Sequence, residues 1–295
     1  MLLTEKMKED IFSPSERDII EYLFKQRENI KDKTTKQISE ETYTHPSTLI
    51  RIAKKLGYSG WVELKNSFLA EIEYLNSHFS SIDANYPFDE RDSLMTVANK
   101  MALLNQTTIS DTLSLLNYDD LQMATNMLDQ ASHIKVFSVS HNLLICHDFK
   151  LNMNRIGKHV TLCEVDPQFD AVNSTSDTCA IVISYTGESR NIVGLLPFLK
   201  KRKVPVIALT SIGENTLTKY ADCILRITTR ERLYSKIGSF SSNDSICFLL
   251  DVLYASVFSK DYKNNLEFKT NISQYFDHRK SSNIVMQEDN QEMLK

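Results

Sequence analysis

Residues 179–191 have the sequence CAIVISYTGESRN, an unbroken apolar segment that ends in hydroxyl-bearing residues around one glycine. A continuous apolar run of this length predicts a strand buried on both faces, which is typical of a parallel sheet. The small polar residues that follow it predict a turn into a helix. This stretch therefore indicates both a fold class and a candidate ligand site.

The surrounding sequence supports a sheet of this kind. Apolar, β-branched segments recur at Ile134–Val139, His159–Val165, Cys179–Ser184, Val204–Thr210 and Cys223–Ile227. Helical patterns lie between most of them, at about 143–156, 191–201 and 214–220, and a last apolar helix is expected at 245–258. Strands that alternate with helices predict an α/β doubly wound parallel sheet.

The sequence before this region is helical, with apolar residues at helical spacing from Ser13 to about Leu75. We expect helices that begin at Ser13-Pro14, cover Thr35–Glu41, run from Thr44-His45 to Leu56, and cover Trp61–Leu75. Further helices are expected at about 92–116 and 119–130. The predicted organisation is a two-domain chain, with an all-α domain at 1–78, a linker and connecting helix at 79–117, a sheet domain at 118–278 and a polar tail at 279–295.

The second and third of these helices, joined by a tight turn, form the pattern of a helix-turn-helix. The outward face of the later helix is predicted to carry Ser47, Thr48, Arg51 and Lys55. Arg51 suits a guanine, while Ser47 and Thr48 suit bases or phosphates. The predicted DNA contacts are His45, Ser47, Thr48, Arg51, Lys54 and Lys55, with the lysines on phosphates. The alternative is a helical bundle whose polar face is simply solvated.

Two predicted strands end in polar residues that lead into helices, and ligands of doubly wound sheets bind beyond such carboxyl ends. Hydroxyls, backbone N–H groups and a helix start suit a phosphate, and Gly187 permits close approach of the backbone. The candidate ligand residues are Ser138, Ser140 and Asn142 after the first strand, and Ser184, Thr186, Gly187 and Ser189 after the third. The alternative is that these residues only cap helices.

Four stretches in the first 75 residues resemble the RpiR family of bacterial transcription regulators in order and spacing: FSPSER (12–17), TKQIS (35–39), PSTLIR (46–51) and KLGYSGWVELK (55–65). Residues 184–189 resemble the S-x-S-G-x-T pattern of SIS (sugar isomerase) domains, as does LTKYADCIL (217–225), and this likeness covers about 121–262. The resemblance implies a regulator that binds an operator in double-stranded DNA and senses a phosphorylated sugar, held on one side by Ser184, Thr186 and Ser189.

The first loop departs from the family pattern, which prefers glycines at Ser138 and Ser140 and serine at Asn142. The added side chains are expected to alter affinity or ligand choice. A working isomerase would need a base for proton transfer. Glu188 lies among the candidate phosphate residues but fits equally well as a solvated acid at a helix start. Glu231 and His141 belong to no motif, so no catalytic residue is predicted. The alternatives are a sugar-phosphate isomerase with an accessory helical domain and a DNA-binding regulator that has lost its effector.

The composition of the chain predicts globular domains and argues against several classes of cofactor and membrane protein. The chain has 295 residues, a net charge of −4 and 42% hydrophobic residues, which predicts ordinary globular domains. Seven glycines form no nucleotide-binding loop, and five cysteines form no zinc-site spacing, so no cofactor and no metal are predicted. The absence of a signal peptide and of a long apolar run predicts a cytoplasmic protein without membrane contact. Because one helix-turn-helix buries little surface, we expect a homo-oligomer, a dimer or higher.

Overall fold

The structure is a computed structural model that describes residues 2–77, 82–279 and 281–286. Its N-terminal part is helical and is built from five helices: α1 (Leu3–Lys6), α2 (Pro14–Gln26), α3 (Thr35–Glu41), α4 (Pro46–Lys55) and α5 (Trp61–Ser77). Helix α4 packs against α2, α3 and α5 around a single apolar core that includes Ile19, Ile38, Ile52 and Leu64. The predicted all-α N-terminal domain is confirmed.

Local signals set the ends of these helices. Ser13 and Glu16 form a capping box at the start of α2, in which the Glu16 carboxylate accepts the Ser13 N–H at 2.8 Å. After α4, Gly57 adopts a φ of +90°, the left-handed conformation that terminates many helices. The α3 bounds coincide with those predicted from the sequence.

Two long helices, α6 (Leu94–Ser114) and α7 (Tyr118–Gln130), lead into the second part of the chain. Both pack against a helix near the C-terminus rather than against the N-terminal core. Of the break predicted from Ser80 to Pro87, residues 80 and 81 lie outside the described residues. Residues 82–93 contain neither helix nor strand.

The second part is a five-stranded parallel sheet in the order β2-β1-β3-β4-β5. The strands are β1 (His133–Phe137), β2 (Val160–Leu162), β3 (Thr178–Ser184), β4 (Val206–Thr210) and β5 (Cys223–Arg226). The helices of this part are α8 (Ser140–Ile145), α9 (His147–Asn154), α10 (Pro167–Val172), α11 (Arg190–Val193), α12 (Leu196–Lys201), α13 (Phe240–Lys260) and α14 (Tyr262–Phe276).

Strand β3 lies at the centre of the sheet, and all its residues are buried. Ile181 and Ile183 belong to one apolar core, whereas Ala180 and Val182 belong to a second core on the opposite face. This alternation follows from the two-residue period of a strand covered by helices on both sides. The predicted doubly wound parallel sheet is therefore confirmed.

Several predicted helices differ in detail. The stretch 143–156 forms two helices that meet at Cys146, and 191–201 is likewise divided into α11 and α12. The stretch 214–220 contains only a 3₁₀ turn at Leu217–Lys219. Helix α14 was not predicted, and it has no buried residue. No helix in the described ranges is both long and apolar enough to span a bilayer.

Candidate functional site

The carboxyl ends of β1 and β3 lie side by side, where the connections to β2 and to β4 diverge. Phe137 pairs with Val182 across the two strands. One residue further on, the Ser138 hydroxyl donates a hydrogen bond to the Ile183 carbonyl at 2.7 Å and is buried. The fold thus brings together the two polar loops that the sequence singled out.

The loop after β3, residues 184–189, which we call the phosphate loop, is organised by its own hydroxyls. Ser184 is 5% exposed, and its Oγ accepts the Gly187 N–H at 3.2 Å. The Thr186 Oγ1 accepts the Glu188 N–H at 3.1 Å. Because each oxygen here acts as an acceptor, each hydroxyl keeps its proton for a further acceptor such as a phosphate oxygen.

Ser189 precedes the short helix α11. Its carbonyl accepts the N–H groups of Ile192 and Val193 at 2.9 and 2.8 Å, but its side chain makes no capping hydrogen bond. The view that these residues only cap helices does not fit Ser189, which is half-buried at the end of the loop and makes no side-chain cap. Ser184 and Thr186, by contrast, do stabilise the turn through the bonds just described.

The loop after β4 holds the phosphate loop in place. Gly187 has a φ of +66°, and a Cβ at this position would lie 2.1 Å from the Asn215 Cγ, so any side chain would clash. The Glu188 carboxylate accepts the backbone N–H and the hydroxyl of Thr216, both at 2.7 Å, and these bonds lower the pKa of Glu188. Sequence reasoning missed Asn215 and Thr216, because their importance arises only from this contact.

The loop after β1, residues 138–142, contains the other candidate ligand residues. Helix α8 begins at Ser140, whose side chain lies outside the described part of the structure. Asn142 is half-buried in the first turn of α8, with its N–H bonded to the Val139 carbonyl at 3.0 Å. Ser138 uses its hydroxyl proton on β3, so it joins the two strands rather than presenting that proton outward.

The possible bases named from the sequence are engaged in structural contacts. The buried Glu231 carboxylate accepts the N–H and hydroxyl of Ser242 at 3.0 and 2.8 Å and pairs with Lys236 at 2.7 Å, which fixes it at the start of α13. His141 is exposed, with its Nε2 3.4 Å from the Asn243 Nδ2. Among the described residues, no cluster of side chains suitable for a metal ion occurs.

The cysteines lie apart from this chemistry. All five are free, and all except Cys247 are buried. Burial raises the pKa of Cys146 to about 12, so this thiol stays protonated and behaves as a small apolar side chain.

At the candidate DNA-binding helix, the His45 side chain caps the start of α4. Its Nδ1 lies 3.3 Å from the Ser47 nitrogen, whose N–H it accepts, and 2.8 Å from the Ser47 Oγ. Ser47, Arg51 and Lys54 are exposed as predicted. Thr48 is only 4% exposed, so its predicted place on the outward face is wrong. It lies at the edge of the buried stripe because it is adjacent to Leu49 and one turn before Ile52.

A buried carboxylate lies under this face. Glu16 of α2 is 2% exposed and binds the Lys55 Nζ at 2.7 Å, and the Arg51 Nε lies 3.7 Å from its Oε1. Burial acts to raise the pKa of Glu16, but the hydrogen bonds from Lys55 and Ser13 outweigh it, and the pKa is lowered. Lys55 is therefore held partly by the protein, whereas Lys54 is not bonded in this way.

The chain thus joins a helix-turn-helix to a doubly wound parallel sheet. Residues 1–74 match the helix-turn-helix domain of the rpiR family, and residues 127–256 match the SIS domain. The chain belongs to the RpiR-type transcriptional regulators that carry a SIS domain.

Similarity to relatives extends over most of the chain. An uncharacterized HTH-type transcriptional regulator of Caldanaerobacter subterraneus subsp. tengcongensis is 26% identical over 92% of this chain and 95% of its own. An uncharacterized HTH-type transcriptional regulator of Clostridium perfringens is 26% identical over 86% of this chain and 91% of its own. Among solved structures, the Vibrio vulnificus NanR protein complexed with ManNAc-6P is 19% identical, covers 94% of this chain and 100% of its own, and has a TM-score of 0.57. At this identity, the structural likeness shows the fold.

Proposed function

We propose that this regulator reads an operator in double-stranded DNA through α4, and that a phosphorylated sugar bound between the ends of β1 and β3 controls its DNA binding. The observation that carries the effector site is the hydrogen bonding of the phosphate loop. Ser184 and Thr186 each accept a backbone N–H and keep a proton to donate, beside Gly187, whose lack of a side chain leaves room for Asn215.

The comparisons support the same class of ligand. NanR, which matches this chain over nearly its whole length, is described in complex with ManNAc-6P, a phosphorylated sugar. We assign the effector contacts to Ser184, Thr186, Gly187 and Ser189, with Ser140 and Asn142 on the opposite side. Ser138 is not retained as a donor, because its hydroxyl proton is bound to the Ile183 carbonyl. In mechanism, the effector binds one arrangement of the protein more tightly and shifts the population toward or away from the DNA-competent form.

For DNA, we assign base contacts to Arg51 and Ser47 and phosphate contacts to Lys54 and Lys55, with His45 at the start of the helix. The exposure of Arg51 and Lys54 supports this assignment. Thr48 is not retained as a contact. A homo-oligomer, dimer or higher, would place two such helices on half-sites a whole number of helical turns apart.

We place the domain boundaries at 1–78, 79–117, 118–278 and 279–295, and we propose a cytoplasmic, non-enzymatic protein. Binding is favoured over isomerisation because the Glu188 and Glu231 carboxylates are both occupied by hydrogen bonds that position the backbone. An acid whose oxygens hold a loop and a helix start is poorly suited to carry a proton during turnover.

The proposal is tested by fluorescence anisotropy on DNA upstream of the protein's own gene and of neighbouring genes. The complex is titrated with hexose, pentose and amino-sugar phosphates, including N-acetylmannosamine 6-phosphate. The unphosphorylated sugars and inorganic phosphate serve as controls. We expect one class of sugar phosphate to change the operator affinity, while its parent sugar does not.

A protein that binds the operator with an affinity that no sugar phosphate changes would contradict the effector half of the proposal. Turnover of a binding sugar phosphate, followed by NMR, would instead support the isomerase alternative. Failure to bind any of these duplexes more tightly than unrelated DNA would contradict the operator half.

A further inference from the structure

The helical domain contacts the sheet domain at the same edge as the phosphate loop. Tyr74 of α5 is 6% exposed, and its hydroxyl accepts the Thr229 N–H at 2.6 Å and lies 3.3 Å from the Thr228 Oγ1. Lys6 of α1 forms an ion pair with Glu214. Glu214 follows β4 and Thr229 follows β5, so both contacts are made at the carboxyl ends of strands.

A second tyrosine reaches the same segment from the phosphate loop. Tyr185 lies between Ser184 and Thr186, and its hydroxyl donates to the Glu231 carbonyl at 2.9 Å and accepts the Glu231 N–H at 3.0 Å. The phenol thus binds both backbone polar groups of one residue. Thr229, which contacts Tyr74, is only two residues away.

The segment between the two tyrosines, Thr228–Glu231, is fastened on its other sides. The Thr228 N–H donates to the Ser245 hydroxyl of α13 at 3.0 Å, and the Asn85 amide donates to the Arg230 carbonyl at 3.3 Å. The Arg230 Nε lies 3.4 Å from the Asp111 Oδ2 of α6, with side-chain exposures of 2% and 3%. A segment held this closely passes a displacement on to its contacts, because close-packed interiors deform little.

We propose that Thr228–Glu231 is the coupling segment between effector and DNA: Tyr185 connects it to the phosphate loop, and Tyr74 connects it to the helical domain. This inference rests on the proposed function for the identity of the signal. Tyr74 and Tyr185 are positioning residues here, and neither is assigned a contact with DNA or sugar phosphate.

The chemistry of the site gives a reason for such coupling. A phosphate whose oxygens accept hydrogen bonds from Ser184 and Thr186 acts on both neighbours of Tyr185. If the backbone of Tyr185 shifts, it must either carry Glu231 with it or lose two hydrogen bonds. A shift of Glu231 changes the position of Thr229 and therefore the hydrogen bond by which Thr229 holds Tyr74 of α5. Two sites that bias one two-state element are coupled reciprocally.

Hydrogen–deuterium exchange of the full, ligand-free chain tests the inference without knowledge of the effector. The variants are Tyr185→Phe and Tyr74→Phe, which keep the ring and remove the hydroxyl. The matched control is Tyr254→Phe, because the Tyr254 hydroxyl accepts a bond from Lys269 and so joins α13 to α14.

We expect Tyr185→Phe to speed exchange roughly 2- to 10-fold in peptides that cover 226–233 and also in α5. We expect Tyr74→Phe to have an effect of the same size in 226–233 and also in 183–190. Tyr254→Phe should change neither α5 nor 183–190. Effects that stop at 226–233 in both variants would overturn the inference. Circular dichroism checks the fold of each variant. If one variant does not fold, the other still tests the coupling, from the phosphate loop to α5 with Tyr185→Phe or from α5 to the phosphate loop with Tyr74→Phe.

N-acetylmannosamine 6-phosphate then serves as the probe in the same measurement on the wild-type protein. Protection of 183–190 together with a change in α5 is expected. Protection of 183–190 with no change in α5 would overturn the coupling. A lack of protection, combined with reciprocal effects of the two tyrosine variants, would leave the coupling standing and count against this sugar phosphate as effector.

Discussion

The exposed face of α4 and the phosphate loop are both proposed to bind phosphate, yet they differ in the kind of side chain that they offer and in its exposure to solvent. The α4 face offers long cations, Arg51 and Lys54, in solvent. The phosphate loop offers short hydroxyls and backbone groups, with Ser184 buried. The difference fits the proposed ligands: a duplex has many phosphates that flexible cations can follow, whereas one phosphate is selected by a rigid set of donors.

Each region also contains an acid that positions the backbone. Glu16 accepts the Ser13 N–H at the start of α2 and links α2 to α4 through Lys55, and Glu188 links the phosphate loop to Thr216. Both carboxyl groups have lowered pKa values because hydrogen bonds stabilise the charged form. A carboxylate can therefore lie close to a proposed anion site if a nearby cation pairs with it, as with Glu16, or if it accepts hydrogen bonds from the protein, as with Glu188.

The largest effect is expected at the phosphate loop. Ser184→Ala combined with Thr186→Val should weaken binding of the sugar phosphate by about 1.5–3 kcal/mol for each lost bond to a charged oxygen. Operator affinity without ligand should stay unchanged. Calorimetric titration with the sugar phosphate found active in the anisotropy assay measures the loss.

The matched control for that variant is Ser174→Ala combined with Thr178→Val, which removes two hydroxyls near the opposite end of β3. It should leave sugar-phosphate binding intact. Undiminished binding in the Ser184/Thr186 variant would show that these residues only shape the turn.

A second test concerns the geometry of the same loop. Gly157→Ala should cost about 1–2 kcal/mol of stability, because Gly157 has a φ of +78° but open space around it. Gly187→Ala should cost about 1–3 kcal/mol more, since its Cβ would overlap Asn215. Urea denaturation compares the two variants, and equal losses would contradict the close packing of Asn215 on Gly187.

On the α4 face, Arg51→Ala should reduce operator affinity by about 1–3 kcal/mol and relax base preference at one position of each half-site. Lys54→Ala should weaken all duplexes similarly and reduce the salt dependence by about one phosphate contact. Binding isotherms on operator and scrambled DNA at several salt concentrations separate these effects. An Arg51→Ala protein with wild-type specificity would place base reading elsewhere.

The smallest effect is expected for Glu16→Gln, with Glu21→Gln as an exposed control in the same helix. Because the folded pKa of Glu16 lies below its ordinary value of 4.5, its charged form stabilises the fold above that pH. We expect a loss of roughly 1 kcal/mol at pH 7 that shrinks as the pH falls through the folded pKa. Urea denaturation at pH 7 and pH 3.5 measures this difference, and a loss independent of pH would contradict the role of the charge.

Much of the fold follows from local sequence. The bounds of α3 and the glycine after α4 were predicted because caps and apolar spacing act within a few residues. The sheet was predicted because a strand covered on both faces must be apolar throughout. Thr48 was misplaced because a residue at the edge of an apolar stripe can face either way. The division at Cys146 was missed because the apolar period continues across it.

The family and the division into a helical part and a sheet part follow from contiguous motifs, and such motifs also singled out residues 184–189 as a candidate site. The packing of Asn215 on Gly187, the bond of Glu16 to Lys55, and the meeting of Tyr74 and Tyr185 at one segment are visible only in the packed fold. These contacts join residues that lie 28 or more positions apart in the chain, as with Gly187 and Asn215. Periodicity and capping act over a single turn or strand, so they carry no information about partners that only the packed fold brings together.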